Sequence, residues 1–188
     1  YLDKYVWFLK PEKDFTLTSI LNQIKAIKQR YGLEYFVIDA WNKIEHADDK
    51  TSYIGKCLDE IVTFCEINNV HCFLVAHPTK IKKNMNTGKY EVPTLYDIAG
   101  SANFYNKADN GICVYRDFEE QKTYVHIQKI KFDHWGTESC AVFTYDVKSK
   151  RYQSDTPDLG SWLNPKSLYN EMIEYVNGKP KEDLTEFD

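Results

Sequence analysis

The stretch Glu34–Asn42, EYFVIDAWN, decides the fold prediction. Four residues of strand-forming bulk, 35–38, are followed at once by a single aspartate, Asp39. A near-continuous apolar run is typical of a strand that is covered on both faces of a parallel sheet. We therefore expect residues 35–38 to form a buried strand that carries the carboxylate of Asp39 at its end.

Helical and strand-like patterns alternate on both sides of this stretch. Residues 5–10, YVWFLK, and 70–76, VHCFLVA, predict two more buried strands. Apolar residues at helical spacing predict a helix in each interval: Leu17, Leu21, Ile24 and Ile27, then Ile54, Leu58, Ile61, Val62 and Cys65. We expect Thr16 or Thr18 to cap the first helix and Gly32 to end it. Strand, helix, strand, helix, strand predicts right-handed crossovers and a parallel sheet.

The alternation stops after Ala76. A polar loop leads to a predicted helix over Leu95–Lys107, and short polar turns then separate three strand-like runs, GICVYR, KTYVHIQKIKF and SCAVFTYD. Such turns favour antiparallel pairing. Beyond Lys150 the chain turns polar, with a helix predicted over 165–176 and a solvated tail over 179–188. We expect two parts, a core over 1–152 and a C-terminal extension over 153–188.

Composition and charge limit the possible classes of protein. A chain of 188 residues that is 43% hydrophobic is not disordered, and no apolar run approaches the ~20 residues of a membrane span. Five cysteines without a C-x-x-C pair indicate neither a disulfide framework nor a zinc site, so a reducing cytoplasm is expected. A net charge of -4 argues against a surface that binds nucleic acid everywhere, but it allows a local basic patch. The start, YLDKYVWFLK, has no initiating methionine or signal pattern and predicts an excised fragment.

Asp39 is the first candidate functional residue. Ligands of open parallel sheets bind outside the carboxyl ends of the strands. A magnesium ion that bridges nucleotide phosphates keeps most of its waters and takes only one or two protein carboxylates. A lone Asp39 therefore suits a Walker B role, holding magnesium through water. The simpler interpretation is that Asp39 caps the strand or begins the next helix.

His77 is the second candidate, because it follows the third predicted strand in the string FLVAHPTK. Parallel strands place this end and the end of the Asp39 strand on the same rim. An imidazole there could contact a γ-phosphate or the water that attacks it. An ordinary histidine at a strand end fits the same pattern.

Four strings in order along the chain carry a resemblance to a known family: VIDAWN, VAHPTK, DIAGSANFYNKADN and KIKFDHWG. Over roughly Tyr5 to Tyr152 the chain resembles the carboxyl-terminal half of the RecA-like motor domain of DnaB-type replicative helicases, especially the Twinkle and phage primase-helicase branch. The resemblance implies an α/β fold, a partial RecA-like P-loop NTPase core. Its parallel sheet would be flanked by helices, with antiparallel strands added at the C-terminal side.

The resemblance also implies roles for individual residues. Asp39 matches the Walker B aspartate, and His77 matches the switch residue that reads the γ-phosphate and connects to the DNA loop, with ATP and magnesium as cofactors. Residues 80–93 match the DNA-binding loop that lines the central channel of this family's hexamers. Four of its lysines supply charges for phosphate contacts: Lys80, Lys82, Lys83 and Lys89. An ordinary solvated loop is the alternative.

The string KIKF departs from the family pattern. The family usually has a lysine, any residue and an arginine on a strand that reaches the neighbouring subunit's nucleotide site. Lys129 matches the first position, but Lys131 replaces the arginine finger and lacks its planar fork. The finger could instead come from Arg116. Plain strand alternation, with Ile130 inward and both lysines in water, is the structural alternative.

The small residues of DIAGSANFYNKADN are expected to serve packing: Gly100, Ser101 and Ala102. They would begin a helix or hold it close to the sheet. For Asp109, at the end of this string, the family implies only a structural or interface role.

A second departure is the absence of G-x-x-x-x-G-K-[ST] from the chain. The family's catalytic glutamate also lies before the point where this sequence begins. We therefore expect a truncated core that is inactive by itself, from an ATP-dependent DNA helicase (a hydrolase of DNA replication) of phage or other mobile-element origin.

The expected partners of that parent are single-stranded DNA and further copies of the same chain, in a hexamer. It would act in the bacterial or phage-infected host cytoplasm, away from membranes. Two alternatives stay open. One is a recombinase-like or circadian-clock-type RecA ATPase without helicase activity, and the other is a non-catalytic DNA-binding or oligomerisation module.

Overall fold

The structure is a computed structural model that describes residues 5–10, 15–45, 51–79, 81, 83–85, 88, 90–99, 101–132, 134 and 136–155. Several predictions lie outside the described residues: the helix over 165–176, the tail over 179–188, Gly100, Lys80, Lys82 and Lys89. The chain divides into two compact units. The first unit consists of Tyr1–Cys113 and Gln128–Thr137, and the second consists of Val114–Ile127 and Glu138–Asp188.

The first helix, α1, spans Leu17–Tyr31 and has the predicted caps. The hydroxyl of Thr16 accepts a hydrogen bond from the Ser19 backbone N–H at 3.4 Å, which satisfies one free donor of the first turn. Gly32 ends the helix at φ 73°, a left-handed conformation that glycine adopts without steric cost. Three of the four predicted apolar residues are buried: Leu17, Leu21 and Ile24.

A parallel strand pair forms the centre of the first unit. Strand β1 spans Tyr35–Asp39, helix α2 spans Thr51–Asn68, and strand β2 spans His71–Val75. β1 and β2 pair in parallel from Tyr35 opposite His71 to Asp39 opposite Val75. The predicted strand–helix–strand unit is thus confirmed. Its core joins residues of α1, β1 and α2: Leu17, Leu21, Ile24, Phe36, Ile38, Ile54, Cys57, Leu58 and Ile61.

The prediction that β1 is covered on both faces is wrong for the described residues. Phe36 and Ile38 are buried, whereas Tyr35 and Val37 are 61% and 62% exposed. Successive side chains of a strand point to opposite faces. The core residues of α1 and α2 pack against Phe36 and Ile38 on one face of β1, and the side chains on the other face are exposed.

The predicted strand over 5–10 is also wrong, because residues 6–10 have no regular secondary structure and are exposed. The ring of Trp7 stacks on that of Tyr31 at 5.4 Å instead. A strand is stable only when a neighbouring strand takes its backbone hydrogen bonds. None of the strands in the described part of the chain pairs with this segment.

In place of one helix over Leu95–Lys107, the structure has two separate short helices. Of the 3₁₀ helices, η1 spans Trp41–Lys43 after β1 and η2 spans Leu95–Asp97, and helix α3 spans Ser101–Lys107. Ile98 is extended at φ -79° and ψ 142°, which breaks the helical path between them. Side chains tie α3 to α2, because Lys107 Nζ lies 2.5 Å from Asp59 Oδ1 and Asn103 donates a hydrogen bond to the Thr51 carbonyl at 2.7 Å.

Four strands follow in the spatial order β3-β4-β5-β6: Asn110–Asp117, Lys122–Ile130, Ser139–Asp146 and Arg151–Ser154. β4 pairs antiparallel with β5, as the short polar turn between them predicted. β5 pairs antiparallel with β6. β6 was not predicted, because its sequence RYQS is short and polar. β4 ends at Ile130, so Lys131 lies just beyond the strand.

None of the helices in the described ranges has the length and apolar character that crossing a membrane requires.

Candidate functional site

The carboxyl ends of β1 and β2 form the rim of the candidate site. Asp39 is the last residue of β1 and is exposed. Val75 lies opposite it in the parallel register, and His77 follows two residues later with an exposed side chain. The structure therefore places the two sequence-predicted residues at the same end of adjacent strands.

Asn42 connects the two strand ends, and sequence reasoning gave it no role. It lies in the 3₁₀ helix η1, Trp41–Lys43, which begins two residues after Asp39. Its Oδ1 accepts a hydrogen bond from the backbone N–H of His77 at 3.3 Å. The only signal in the sequence was an amide directly after a strongly apolar run. Asn42 therefore positions His77 relative to the end of β1.

Trp41 anchors the same turn in the core. It is buried, and its ring packs edge-on against that of Phe104 in α3, with centroids 5.6 Å apart. Edge-to-face packing is a preferred geometry for aromatic pairs. Truncation of a buried aromatic side chain costs on the order of 3–5 kcal/mol, so this pair fixes the backbone that follows Asp39.

The loop that follows His77 is held closed at its base. The backbone N–H and the hydroxyl of Thr79 both donate to the Asp97 carbonyl, each at 2.9 Å. Next to them, Pro78 forms an antiparallel bridge with Ile98. The Asp97 carboxylate in turn accepts from the Thr94 backbone N–H at 2.7 Å. Two hydrogen bonds from one residue and a capped turn make this base rigid.

The loop itself folds back like a hairpin. Lys83 and Tyr90 form an isolated antiparallel bridge, and Lys83 Nζ lies 4.9 Å from the centre of the Tyr90 ring. Near the tip, the Gly88 N–H donates to the Asn84 carbonyl at 2.8 Å. Of the four lysines predicted to contact DNA, Lys83 is the one that lies among the described residues.

Lys129 is used inside its own chain. Its Nζ donates to the carbonyl oxygen of Tyr105, in the last turn of α3, and lies 4.7 Å from the centre of the Tyr105 ring. A cation at the carboxyl end of a helix is favourable because the free carbonyls there carry partial negative charge. This contact makes Lys129 a clamp for α3, a role that the sequence pattern did not predict.

Lys131 forms an exposed ion pair. Its Nζ lies 2.6 Å from Asp109 Oδ1, and the two side chains are 52% and 48% exposed. The Lys131 backbone N–H also donates to the Asp109 carbonyl at 2.9 Å. Arg116, the alternative finger, is exposed and lies 5.0 Å from the centre of the Phe118 ring.

Gly111 allows the loop base and β4 to approach each other. A Cβ atom added there would lie 2.6 Å from Leu95 Cδ1 and 3.2 Å from Lys129 Cβ. Real Cβ atoms do not approach a neighbour as closely as the first of these distances, so a larger residue at position 111 would force the Leu95 side chain to move.

Among the described side chains, the carboxylate of Asp39 suits nucleotide-borne magnesium, and three of the five thiols are poor nucleophiles. Among the described residues, no group of three or more His, Cys, Asp and Glu side chains could hold a metal ion. Burial raises the pKa of Cys72 to about 12, and burial also raises the pKa of Cys65 and Cys113. These three thiols are therefore protonated and weakly nucleophilic at neutral pH. The exposed carboxylate of Asp39 fits magnesium held mainly by phosphates and water.

Comparison with known proteins found a similar curated protein and a similar solved structure. The chain is 33% identical over 147 residues to "Twinkle homolog protein, chloroplastic/mitochondrial" of Arabidopsis thaliana, a match that covers 73% of this chain and 20% of that protein. Its structure is similar to a solved ATPase domain, with a TM-score of 0.60 and 15% identity over 73% of this chain and 50% of that one. No protein-family model matches the chain. The chain thus spans a fifth of the curated relative and half of the solved domain.

The class of protein follows from the fold and the rim. The chain has a partial RecA-like ATPase fold, as the alternation of strands and helices and the family resemblance predicted. The resemblance to the carboxyl-terminal region of the DnaB-type helicases, in their Twinkle branch, is likewise confirmed.

Proposed function

We propose that the chain is part of the motor of a ring-forming replicative DNA helicase, which couples ATP hydrolysis to translocation on single-stranded DNA. One observation carries this proposal. The exposed carboxylate of Asp39 and the backbone of His77 lie on one rim, and Asn42 bonds to the His77 backbone. Two residues after His77, Thr79 closes the base of the loop by bonding to the Asp97 carbonyl. The similarity to a Twinkle homolog supports it.

In this mechanism Asp39 would hold nucleotide-bound magnesium through water. Magnesium and ATP, when bound, supply the reacting phosphoryl group and the positive charge that neutralises it. The exposed carboxylate of Asp39 at the end of β1 would supply a fixed negative charge for this purpose. The exposed imidazole of His77 is free to accept a hydrogen bond from, or donate one to, groups on the same rim.

The path from His77 to the DNA loop is short and stiff. Asn42 holds the His77 backbone, Pro78 follows with a fixed φ, and Thr79 is bonded twice to Asp97. A displacement of His77 is therefore expected to displace the base of the loop as well. We infer that this path transmits the state of the nucleotide to the lysines of residues 80–93.

Assembly completes the proposed site. A second copy of the chain would bring Lys131 to the phosphates at the interface, within a hexamer, as the family resemblance implies. A core over 1–152 with an extension over 153–188 and a phage or mobile-element origin remain parts of this proposal, as does a bacterial or phage-infected host cytoplasm. The odd number of cysteines without a C-x-x-C pair supports a reducing compartment. The plant relative's name points to an organelle as the alternative.

The chain of 188 residues alone is expected to lack ATPase activity. It contains no G-x-x-x-x-G-K-[ST], so no backbone cradle and lysine hold the phosphates that would bring magnesium to Asp39. We expect at most millimolar nucleotide binding, about 4 kcal/mol, in a calorimetric titration with magnesium and ATP. A micromolar constant or steady phosphate release would mean that the chain holds a complete site, and would contradict this prediction.

The loop lysines provide the test of the proposed function. Replacing Lys80, Lys82, Lys83 and Lys89 with glutamine in the full-length protein should weaken single-strand binding and reduce unwinding of a forked duplex. Each phosphate contact contributes about 0.7 to the slope of log affinity against log salt, so the slope should fall by up to about 2.8. Fluorescence anisotropy of a labelled oligothymidine at several salt concentrations measures it.

The matched control replaces four exposed lysines elsewhere: Lys10, Lys25, Lys148 and Lys150. It should leave the slope and the unwinding rate close to wild type. An unchanged slope in the loop variant would show the loop to be ordinary solvated structure. DNA-stimulated ATP turnover without unwinding by the wild-type protein would instead favour a RecA-type ATPase that does not translocate.

A further inference from the structure

Tyr96 lies at the base of the loop, in a position that the backbone fixes. It is the middle residue of η2, whose first turn is closed by Thr94 and Asp97. The carbonyl of Asp97, the next residue, is the acceptor for both hydrogen bonds from Thr79. The ring of Tyr96 is therefore presented by the same turn that closes the loop, and its place does not depend on the loop's tip.

The ring of Tyr96 is one layer of a stack. It lies on the ring of Tyr105 with centroids 4.6 Å apart and an angle of 22° between the planes. The ammonium group of Lys129 lies over the same Tyr105 ring. Tyr105 is held by α3, so the support beneath Tyr96 is part of the folded unit. Tyr96 itself remains 54% exposed.

From this geometry we propose that Tyr96 is a stacking platform for a base of single-stranded DNA, at the base of the lysine-bearing loop. Proteins that bind single strands without sequence preference combine cations that follow the phosphates with aromatic rings on which bases stack. The loop supplies the cations, and a half-exposed ring supported by a second ring supplies the flat surface. This inference rests on the proposed DNA-binding function and assigns to it a contact with the base in addition to the phosphate contacts.

The test compares Tyr96→Ala with wild type in the full-length protein, using labelled oligothymidine and an abasic strand of equal length. Stacking of one base changes affinity by roughly 5- to 150-fold, and we expect about tenfold weaker binding of oligothymidine by Tyr96→Ala. Because stacking involves no phosphate charge, the salt slope should not change. On the abasic strand the variant and wild type should bind equally. Tyr96→Phe and Tyr96→Trp keep a ring and should retain affinity.

Two controls make the outcome decisive. Tyr152→Ala removes a ring of similar exposure, 55%, from β6 and should leave binding unchanged. Thermal unfolding followed by circular dichroism shows whether Tyr96→Ala is folded, and the Phe and Trp variants decide the question if it is not. Equal losses on oligothymidine and on the abasic strand, or no loss on either, would overturn the inference while the loop lysines still changed the salt slope. Absence of single-strand binding by the wild-type protein would refute the proposed function itself.

Discussion

Asp39→Asn is expected to abolish ATP turnover by the full-length protein and to leave its fold intact. The amide has the size of the carboxylate but lacks the negative charge that holds the magnesium shell. A correctly placed metal ion contributes several kcal/mol to stabilising the transition state, and each 1.36 kcal/mol is a factor of ten. We therefore expect turnover to fall by at least about 100-fold, measured as steady-state phosphate release.

The fold should survive because the core lies on the other side of β1. Phe36 and Ile38 are the β1 side chains that pack in the core, whereas Asp39 is exposed at the end of the strand. Asp59→Asn is the matched control, since Asp59 is also exposed and its ion pair with Lys107 contributes about 1 kcal/mol or less. Its turnover should equal that of wild type. Wild-type turnover in Asp39→Asn would reduce Asp39 to a cap of β1.

The sequence was informative wherever a short-range pattern determines the structure. The apolar run before Asp39 and the run before His77 predicted two parallel strands, and the end of such strands is where ligands bind. The hydroxyl of Thr16 and the conformation of Gly32 also follow from neighbours along the chain. These features need no knowledge of distant residues.

Contacts between distant residues had no such pattern. Asn42 reaches the His77 backbone across 35 positions, and Lys129 reaches the Tyr105 carbonyl across 24. Each is a single side-chain-to-backbone bond, which produces no periodicity in the sequence. Coverage of a strand depends in the same way on its spatial partners. The apolar side chains of residues 5–10 and of Val37 were therefore predicted to be buried, but the described residues leave them exposed.

The two lysines of KIKF illustrate how much these distant contacts decide. In the sequence both lie on one predicted strand, two residues apart, and only the family resemblance assigns the finger position to Lys131. In the structure Lys129 is committed to α3 through the Tyr105 carbonyl, and Lys131 lies just past the strand in an exposed pair with Asp109. Breaking an exposed pair costs about 1 kcal/mol or less, so Lys131 can exchange Asp109 for a phosphate oxygen. Under the proposed function we therefore expect Lys131, rather than Lys129, to act on a neighbouring subunit.

Lys131→Ala is accordingly expected to lower DNA-stimulated ATP turnover by about 100-fold, with little change in thermal stability. An arginine finger is worth roughly 10³- to 10⁵-fold, and lysine brings the same charge without the bidentate fork. For the same reason Lys131→Arg should turn over faster than wild type. Lys129→Ala should instead lower the melting temperature, since it removes the clamp on α3. Phosphate release and thermal unfolding of the three variants separate these outcomes.

A mixing experiment tests whether Lys131 acts across an interface. Rings formed from Lys131→Ala and Asp39→Asn subunits together contain some interfaces at which an intact Asp39 faces an intact Lys131. Such rings should recover part of the turnover that each variant lacks alone, because a residue that acts in a neighbouring site need not share a chain with Asp39. Wild-type turnover in Lys131→Ala, together with lost turnover in Arg116→Ala, would assign the finger to Arg116 instead.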